Sequence, residues 1–376
     1  MSRILGVLFL VVAVVSTACQ PAPAPSPTAK PTEPPKPAPP VASPGASPSP
    51  AASPSPAAAA PAAAKPAGPA TKVKVSQAVT ALTFVTVYVG RHKGFYAEEG
   101  LDVEQIATGG TGPDTQALLS GDVQFNITPG TTHLDVFKQG RKLPIVFNAL
   151  DKNLINVVMH VDAARERGVT PQSTLKDKLA ALKGLKVGAT RPGALTFQMA
   201  EYYVQLAGMK PQEDVQIVGA GEGAALIAAL ETRQVDAFLT GTPVPEQAVA
   251  RGKAIMLINN AAGEDPNLVP FNMASILVLP EYMDKNPDIV ARFVRASRRA
   301  NEWILQATPE QIADAVTPDF GQIDRPVLVA GATSVKAATN RTGVLEKKAL
   351  QTLIDMTKAG VNVDELYALF TDRFLK

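Results

Sequence analysis

The sequence predicts an α/β protein of two similar lobes, joined by a hinge and separated by a cleft. The main observation is an internal repeat, because a shift of 112 positions aligns residues 73–148 with residues 185–260 without a gap. The matching pairs include Val75 and Val187, Gly109 and Gly221, Leu118 and Leu230, and Thr128 and Thr240. Solenoid units run roughly 20–50 residues, so this longer period indicates two copies of one α/β unit. Two lobes imply a cleft, where binding sites usually lie.

Composition excludes several classes of function. The chain has 376 residues, 46% of them hydrophobic, which is enough for two domains with sizeable cores. Its net charge is +2, but the excess lies in the first 71 residues, and the remainder holds 32 basic and 33 acidic residues. Such a balance gives no electrostatic footprint for nucleic acid. Cys19 is the one cysteine, which excludes an intrachain disulfide and a cysteine-based metal site or nucleophile in the folded part.

The N-terminus has the pattern of a secretion signal. Arg3 precedes an apolar run at 4–15 and small residues at 16–18, which predicts a signal peptide over residues 1–18. About twelve apolar residues are too few to span a bilayer comfortably. The residues at 16–19, Ser-Thr-Ala-Cys, resemble the bacterial lipobox, which implies that Cys19 is lipidated. The protein is then expected on the extracytoplasmic face of a bacterial cell membrane, in a periplasm or cell-wall space. An ordinary signal peptide with an incidental cysteine is the alternative.

Residues 19–71 are predicted to form a disordered tether. From 20 to 70 the chain carries 18 of its 33 prolines, among alanine and serine and without an aromatic residue. This composition cannot bury enough apolar surface to fold, and it favours extended polyproline conformations. A spacer through an envelope layer and a passive linker both fit it.

The first copy of the repeat alternates predicted strands with predicted helices. The strands are expected at 73–75, 101–106, 123–128 and 144–148, and the helices within 83–99, over 116–120 and over 132–139. Gly94 and Gly121 stop two of the helices. Strands and helices joined by short glycine turns predict parallel βαβ crossovers.

The second copy follows a connector. An apolar strand at 154–161 leaves the first copy, and 162–182 is predicted to be a polar connector with one short helix after Pro171. The second copy has predicted strands at 185–188, 215–218 and 235–240 and predicted helices over 196–206 and 224–232. An extended apolar segment at 272–279 is suited to return the chain to the first lobe.

The C-terminal part is predicted to be helical. Asn286 followed by Pro287 predicts an N-cap and a first helical residue. Apolar residues then recur at helical spacing towards Ile304, and further helices are predicted over 324–339 and 345–358, before a closing segment at 363–375. The opposite face favours a solvated surface over a docking surface, because it carries Arg292, Arg295, Arg298 and Arg299.

The segment at 93–104, Lys-Gly-Phe-Tyr-Ala-Glu-Glu-Gly-Leu-Asp-Val-Glu, resembles a known family. The NMT1/THI5-like substrate-binding proteins of ABC importers (nitrate, taurine and alkanesulfonate type) end a helix in Lys-Gly-aromatic-aromatic and continue into a Gly-Leu-Asp-Val strand. Further matching segments are 117–123, 191–194, 234–237, 286–288 and 363–367. The resemblance covers about 73–375 and implies a type II periplasmic-binding-protein fold. Lobe 1 is expected to comprise 72–154 and 275–376, and lobe 2 to comprise 155–274.

Two departures from the family pattern leave the ligand open. Where the family often has Gly-Trp-Glu-Pro, this chain has Thr-Gly-Thr-Pro at 240–243. Where a Tyr or Gln pair commonly follows the first-lobe strand, it has Leu-Asp-Lys-Asn at 150–153.

Candidate ligand-binding residues lie where predicted strands end and helices begin. Open α/β sheets bind ligands beyond the carboxyl ends of their strands, and helix N-termini bind anions through backbone N–H groups and the helix dipole. The glycine turns at 109–112 and 219–223 are equivalent in the repeat, although tight turns alone also explain such glycines. The candidates are Thr83, Phe84, Gly110, Thr111, Gly112, Thr128, Thr131, Asn153, Thr190, Arg191, Gly193, Ala194, Gly221, Glu222, Thr240, Thr242 and Asn272.

Charged residues near these turns indicate the ligand's chemistry. Arg191 is suited to pair with a carboxylate, sulfonate or phosphate, and a solvated surface arginine is the alternative. Asp114, Asp151 and Glu222 point the other way, because acids in a cleft repel an anion or recognise an amine. A zwitterion satisfies both signs.

No cofactor, metal or catalytic group is predicted. Residues 219–224 fit G-x-G-x-x-A, but a dinucleotide fold also needs an acid at the end of the next strand, which here ends at Thr240. His92, His133 and His160 lack metal-ligand spacing and are expected at the surface or at helix caps. Hydrolase, P-loop and metalloprotease motifs are missing, and no two acids pair for acid–base work.

The sequence therefore predicts a lipid-anchored, monomeric, non-enzymatic solute-binding protein that delivers a small polar or anionic organic molecule to an ABC permease and its ATPase. A sulfonate or carboxylate fits best. One alternative ligand is a pyrimidine or thiamine-precursor-like heterocycle, stacked on an aromatic ring such as Phe84, Phe147, Phe197 or Phe271. Another alternative is a secreted hydrolase or sensor input domain with the same fold.

Overall fold

A computed structural model describes residues 69–376. The predicted signal peptide, Cys19 and nearly all of the predicted tether lie outside the described residues. Between residues 69 and 376, no helix has both the length and the apolar character needed to cross a membrane.

The first copy of the repeat alternates strands with helices, as predicted. Gly94 and Gly121 have left-handed backbones, with φ of 77° and 82°, at the helix boundaries that the sequence indicates. A short 3-10 turn at Leu82–Phe84 leads into the first helix. The elements are β1 (Thr71–Gln77), α1 (Val85–His92), α2 (Phe95–Glu98), β2 (Leu101–Ala107), α3 (Thr111–Ser120), β3 (Phe125–Thr128), α4 (Gly130–Lys138) and β4 (Ile145–Leu150).

The second copy repeats this order. Each repeated strand and helix begins within three residues of the position given by the 112-residue shift. The elements are β5 (Ile155–His160), α5 (Val161–Arg167), α6 (Leu175–Ala180), β6 (Lys186–Ala189), α7 (Leu195–Leu206), β7 (Gln216–Gly219), α8 (Ala224–Glu231), β8 (Ala237–Gly241), α9 (Val244–Ala250) and β9 (Ala254–Ile258).

The remaining elements follow the second copy. Helices α10 and α12 were not predicted, because they are interrupted by the prolines and polar residues that usually mark loops. The elements are β10 (Ala274–Val278), α10 (Pro280–Lys285), α11 (Pro287–Gln306), α12 (Pro309–Phe320), α13 (Arg325–Ala338), α14 (Lys347–Thr357) and α15 (Val363–Tyr367).

The two copies form two sheets of the same strand order. One sheet is ordered β2-β1-β3-β10-β4 and the other β7-β6-β8-β5-β9. In each sheet the strand that opens the copy is parallel to both of its neighbours. The matching order supports the duplication, and the structure has two α/β lobes. The residue-level lobe boundaries stay a prediction.

The predicted parallel βαβ crossovers are confirmed within each copy, but each sheet also holds one antiparallel strand that the sequence did not predict. Strand β10 is antiparallel to β3 and β4, and β5 is antiparallel to β8 and β9. Each of these strands fills a gap in its sheet and is buried along its whole length. A buried apolar run carries no signal of strand direction, so the sequence pattern could not reveal this.

The chain crosses between the sheets at 151–154 and at 259–273. The start of the second crossing is tied to the second lobe, since Lys178 Nζ lies 2.7 Å from Glu264 Oε2 and the Tyr202 hydroxyl donates to Asp265 at 3.1 Å. Its end is tied to the first crossing, since the Phe271 amide donates to the Asp151 carbonyl at 2.9 Å. Within the second crossing, residues 269–270 lie between the attachment to the second lobe and the attachment to the first crossing.

The predicted start of α11 is confirmed, since Asn286 is its N-cap residue and Pro287 its first residue. The Asn286 side chain makes no capping hydrogen bond; its Nδ2 donates to the Tyr282 carbonyl in α10. The connector after β5 begins with α5, which the sequence did not predict. His160 caps that helix by accepting from the Asp162 amide at 3.1 Å.

The arginines of α11 hold the chain together, which corrects the prediction of a solvated face. Arg292 donates to the Glu99 carbonyl at 3.0 Å, and Arg295 lies 2.7 Å from the Glu99 carboxylate. Arg298 donates to the Leu375 carbonyl at 3.0 Å, and Arg299 pairs with Glu98. The four side chains therefore fasten α11 to the end of α2 and to the C-terminus.

An aromatic stack joins α11 to the first sheet. The rings of Phe293 and Phe125 are stacked nearly parallel, with their centres 4.0 Å apart. The Tyr96 ring also stacks on Phe293, at 4.9 Å. The Tyr96 hydroxyl is 2.9 Å from Ser297 Oγ, so its buried polar atom is satisfied. Phe293 is fully buried, which makes it the centre of this contact.

Replacement of Phe293 tests the contribution of this stack. We expect Phe293→Ala to lower the free energy of unfolding by about 3–5 kcal/mol, because it removes a buried ring and leaves a cavity. Glu302→Ala, at an exposed position on the same helix, should change it by at most about 0.5 kcal/mol. Urea unfolding followed by the fluorescence of Trp303, the one tryptophan, measures both. Similar losses in the two variants would contradict the assignment.

Candidate functional site

A half-open cavity lies between the two sheets, beyond the carboxyl ends of their parallel strands. Its volume is about 70 Å³, and its lining is mainly apolar. The candidate residues that line it are Thr83, Phe84, Gly110, Thr111, Thr190, Arg191, Ala194, Glu222 and Thr240. Both lobes contribute, so the cavity is the interlobe cleft in a closed arrangement.

Uncapped helix N-termini converge on this cavity. Phe84, Gly110 and Ala194 immediately precede α1, α3 and α7, and each of them lines it. None of these helices has a side chain that caps its N-terminus. The first turns of α3 and α7 carry unpaired N–H groups and the positive end of the dipole, whereas the Val85 amide at the start of α1 donates to the Leu82 carbonyl of the 3-10 turn. The cavity is therefore electrostatically suited to negative or strongly polar groups.

Arg191 crosses from the second lobe to the glycine turn of the first. A Cβ atom on Gly110 would lie 2.6 Å from Arg191 Nε and 2.5 Å from its Nη2, so the guanidinium rests on the Gly110 backbone. Gly110 has φ of 140°, which also favours glycine. Among the described residues, none accepts a hydrogen bond from this guanidinium. Its donors are therefore directed to whatever occupies the space around it.

Glu222 brings a carboxyl group to the same wall. It lines the cavity two residues before α8 begins. Burial raises the pKa of Glu222, and the nearby Arg191 partly offsets that rise. The wall thus carries one acid and one base, which fits either a zwitterion or an anion beside a protonated Glu222.

A hydrogen-bonded pair of threonines lies at the edge of the cavity, where β6 ends. The Thr190 amide donates to Thr196 Oγ1 at 3.1 Å, and the two hydroxyls are 2.7 Å apart. Thr196 belongs to the first turn of α7 and lines the cavity, although the sequence did not single it out. This bond fixes the loop from which Arg191 projects.

Asp114 lies beneath the cavity rather than in it. Its carboxylate is fully buried and accepts from the Thr115 amide at 2.6 Å, from Asn126 at 3.2 Å and from Thr128 at 3.3 Å. Ser76 Oγ donates to its backbone carbonyl at 3.0 Å. Burial raises the pKa of Asp114 from 3.8 to about 6, against the opposing effect of these donors. The network ties the first turn of α3 to β1 and β3.

Several candidates do not line the cavity. Thr128 faces Asp114, and Thr131 is buried in the first turn of α4. Asn153 accepts from the Ile155 amide at 2.8 Å, which holds the first crossing between the sheets.

Three more candidates are buried away from the cavity or hydrogen-bonded to other parts of the protein. Thr242 is fully buried and its carbonyl accepts from the Leu82 amide at 3.3 Å. Asn272 accepts from Ser275 Oγ at 2.7 Å. The amide of Gly221 donates to the Thr190 carbonyl at 3.2 Å, so it is already hydrogen-bonded within the protein and does not face a ligand.

The last two candidates, Gly112 and Gly193, line a separate groove behind Arg191. Asp151 lines neither space; it lies at the crossing, where burial raises the pKa of its carboxyl group.

The residues that sequence reasoning missed are mostly apolar. Ala78 and Val79 follow β1 and are the repeat equivalents of Thr190 and Arg191, so the strand-end rule could have found them. Gly241 lies in the segment at 240–243 that departs from the family pattern, which was its signal, whereas the other missed lining residues are small or apolar and cannot be told from core residues in the sequence. They are Ala81, Pro129, Ile155, Leu195 and Met273.

The histidines occupy structural positions. His133 was expected at the surface or at a cap, but it is buried, with Nε2 2.9 Å from the Leu143 carbonyl, and burial lowers its pKa to about 4. His92 pairs with Asp319, and His160 caps α5. In the part of the chain that the structure describes, no group of three His, Cys, Asp or Glu side chains could hold a metal.

Two α/β lobes, one antiparallel strand inserted into each sheet, and a cavity beyond the strand ends together define the periplasmic-binding-protein fold. Solved structures of this fold resemble the chain. The periplasmic nitrate-binding protein NrtA from Synechocystis PCC 6803 has a TM-score of 0.66 at 16% identity, over 81% of this chain and 87% of that one. The alkanesulfonate-binding protein SsuA from Xanthomonas axonopodis pv. citri, bound to MOPS, has a TM-score of 0.63 at 13% identity, over 81% and 99% of the chains.

The chain belongs to the NMT1/THI5 like family, whose model matches residues 82–312. Among curated proteins, YtlA of Bacillus subtilis (strain 168) is 26% identical over 264 residues, which cover 69% of this chain and 73% of YtlA. The family that the sequence motifs indicate is thereby confirmed.

The buried carboxyl of Asp114 predicts a pH dependence of stability. Its pKa is higher in the folded protein, about 6, than its ordinary value of 3.8, so the neutral carboxyl stabilises the fold below pH 4. That stabilisation is lost as the pH rises towards 6, by up to about 3 kcal/mol. Asp114→Asn should remove this dependence, because an amide does not titrate and the unpaired Asn126 Oδ1 can accept from it.

Urea unfolding between pH 3.5 and 7 measures the effect. The stability of the unmodified protein relative to Asp114→Asn should fall across this range and level off near pH 7. Asp122→Asn, at an exposed carboxylate that accepts from Ser120 at 2.7 Å, is the matched control. Parallel profiles for the protein and Asp114→Asn would contradict the prediction.

Proposed function

We propose that this protein is a non-enzymatic solute-binding protein that captures a compact organic anion between its lobes and delivers it to an ABC permease. The observation that carries the proposal is the convergence on one interlobe cavity of two uncapped helix N-termini, those of α3 and α7, and of the Arg191 guanidinium, which no group among residues 69–376 pairs with. An anion gains from both, since charge-assisted hydrogen bonds are about twice as strong as neutral ones. The similar proteins NrtA and SsuA are named for binding nitrate and alkanesulfonate.

The apolar part of the lining supports an organic ligand over a bare inorganic ion. Side chains of Val79, Ile155, Leu195 and Met273 face the cavity and are suited to a short hydrocarbon segment. A sulfonate or carboxylate provides both the negative group and that segment. Glu222 makes an amine-bearing member of the class, such as taurine or β-alanine, an equally good fit.

The heterocycle alternative has less support. Of the aromatic candidates Phe84, Phe147, Phe197 and Phe271, Phe84 lines the cavity, whereas Phe147 and Phe271 are fully buried in the core. A pyrimidine ring held by stacking usually needs an aromatic face on each side. The cavity offers one ring and a positive wall instead.

A thermal-shift screen tests the proposal. We expect methanesulfonate, taurine, acetate or β-alanine to raise the unfolding temperature by on the order of 5 °C at a hundredfold excess over Kd, whereas uracil and thiamine should not. Arg191→Ala should lose the shift, because the anion loses its paired charge. Arg251→Ala removes the same charge from an exposed site on the second lobe and should keep it. A shift by uracil that survives Arg191→Ala, with every anion inactive, would overturn the anionic assignment.

The lipid anchor belongs to the same proposal. Cys19 would carry acyl chains on the extracytoplasmic face of the membrane, and the proline-rich segment would hold the monomeric binding lobes away from it. In a host that processes bacterial lipoproteins, Cys19→Ser should move the protein from the membrane fraction to the soluble extracytoplasmic fraction. Incorporation of labelled palmitate gives a second readout. Equal membrane retention of the variant would contradict the anchor.

A further inference from the structure

Two separate spaces lie on either side of the Arg191 side chain. One is the interlobe cavity of about 70 Å³. The other, which we call the outer groove, measures about 310 Å³ and lies between α3, α4 and the turn at 191–193. Thr111 and Arg191 line both spaces. The guanidinium and the first residue of α3 therefore form the wall between them.

The wall is held by close backbone contacts rather than by ion pairs. On one side the guanidinium rests on Gly110, and a Cβ atom on Gly112 would lie 3.4 Å from Arg191 Nη2. On the other side, the Arg191 backbone packs on Gly219, where an added Cβ atom would meet Arg191 Cα at 3.4 Å. Glycines of both lobes thus give the arginine its seat. A larger side chain at Gly110 would displace the guanidinium.

The volume of the cavity limits what it can hold. A buried water needs on the order of 10–15 Å³ of such space, so a cavity of about 70 Å³ takes roughly five water-sized groups. Methanesulfonate has about this size. A sulfonate with a longer chain would have to extend past Arg191 into the outer groove, or past Glu222 into a further space of about 310 Å³ that Thr190, Glu222 and Thr240 also line.

The outer groove has chemistry of its own. Its polar walls come from Thr115, Gln116, Asp135 and Gln139, and Leu119, Val136 and Pro192 add an apolar part. Asp135 accepts from Gln198 Nε2 of the second lobe at 3.3 Å, and burial raises the pKa of its carboxyl group. A carboxyl beside two amide side chains is suited to an amine or hydroxyl group rather than to a plain alkyl chain.

We propose that Arg191 is the partition that keeps the ligand out of the outer groove, and that the outer groove is a second subsite for the amine-bearing end of a longer anion. The subsite becomes continuous with the cavity when the Arg191 side chain is shortened or displaced. This inference rests on the proposed binding of organic anions. It assigns Arg191 a role in specificity in addition to charge pairing.

Calorimetric titration with sulfonates of two lengths tests the partition. The probes are methanesulfonate, hexanesulfonate and 6-aminohexanesulfonate, and the readout is the ratio of long-chain to short-chain affinity. In Arg191→Ala the ratio should shift by at least about tenfold towards the long chains, because the wall is gone. The lost charge weakens both probes alike and cancels in the ratio.

Gly110→Ala provides a second route to the same result. It keeps the guanidinium but removes its seat, so the ratio should shift in the same direction. It also keeps the proposal testable if Arg191→Ala binds too weakly to measure. Arg251→Ala, exposed on the second lobe, should leave the ratio unchanged.

Asp135→Asn in the Arg191→Ala background examines the subsite itself. It should weaken 6-aminohexanesulfonate by about tenfold while leaving hexanesulfonate unaffected, because the amine loses its carboxylate partner. An equal effect on both probes would overturn the subsite. An unchanged length ratio in Gly110→Ala, and in Arg191→Ala wherever it binds, would overturn the partition. If the unmodified protein binds no sulfonate or carboxylate at all, the proposed function fails, which is a different outcome.

Discussion

The architecture depends on two antiparallel strands that fill the gaps in the two sheets. Strand β10 completes the first sheet between β3 and β4, and β5 completes the second between β8 and β9. Both strands are buried along their whole length and away from water, so their backbone groups depend mainly on these neighbours for hydrogen bonds. The insertion obliges the chain to cross between the lobes twice. It also turns the carboxyl ends of the parallel strands of both sheets towards one space, where the cavity lies.

Duplication has given the two copies different chemistry at equivalent positions. Arg191 and Glu222 of the second copy correspond to Val79 and Gly110 of the first. The second lobe therefore supplies both charged groups of the cavity, whereas the first supplies apolar surface and exposed backbone. Beneath the cavity the asymmetry is reversed: Asp114 of the first copy corresponds to Leu226 of the second, so a buried carboxyl network supports α3 and an apolar core supports α8.

Much of the fold could be predicted because its signals are local. The 112-residue period, the glycine helix stops and the strand ends all lie in short stretches of chain, and they led to Thr190, Arg191 and Glu222. Other features depend on contacts between distant segments. The antiparallel direction of β5 and β10 is invisible in a buried apolar run, and the pairing of Arg295 with Glu99 joins residues that sequence spacing does not relate. Thr128 and Thr242 lie at strand ends, where ligand-binding residues are expected. Thr128 nevertheless faces Asp114 and Thr242 is buried, because a place at a strand end does not fix the direction of the side chain.

The division of the site between lobes explains how a ligand can favour the closed arrangement. A ligand shifts a conformational equilibrium only by its difference in affinity for the two states. Here the guanidinium of Arg191 comes from the second lobe, and the first turn of α3 comes from the first. An anion that contacts both gains its full set of hydrogen bonds only when the lobes meet. The same closure brings the guanidinium onto Gly110, so the contact that closes the lobes also bounds the cavity. Contact between the lobes and one wall of the cavity therefore involve the same side chain.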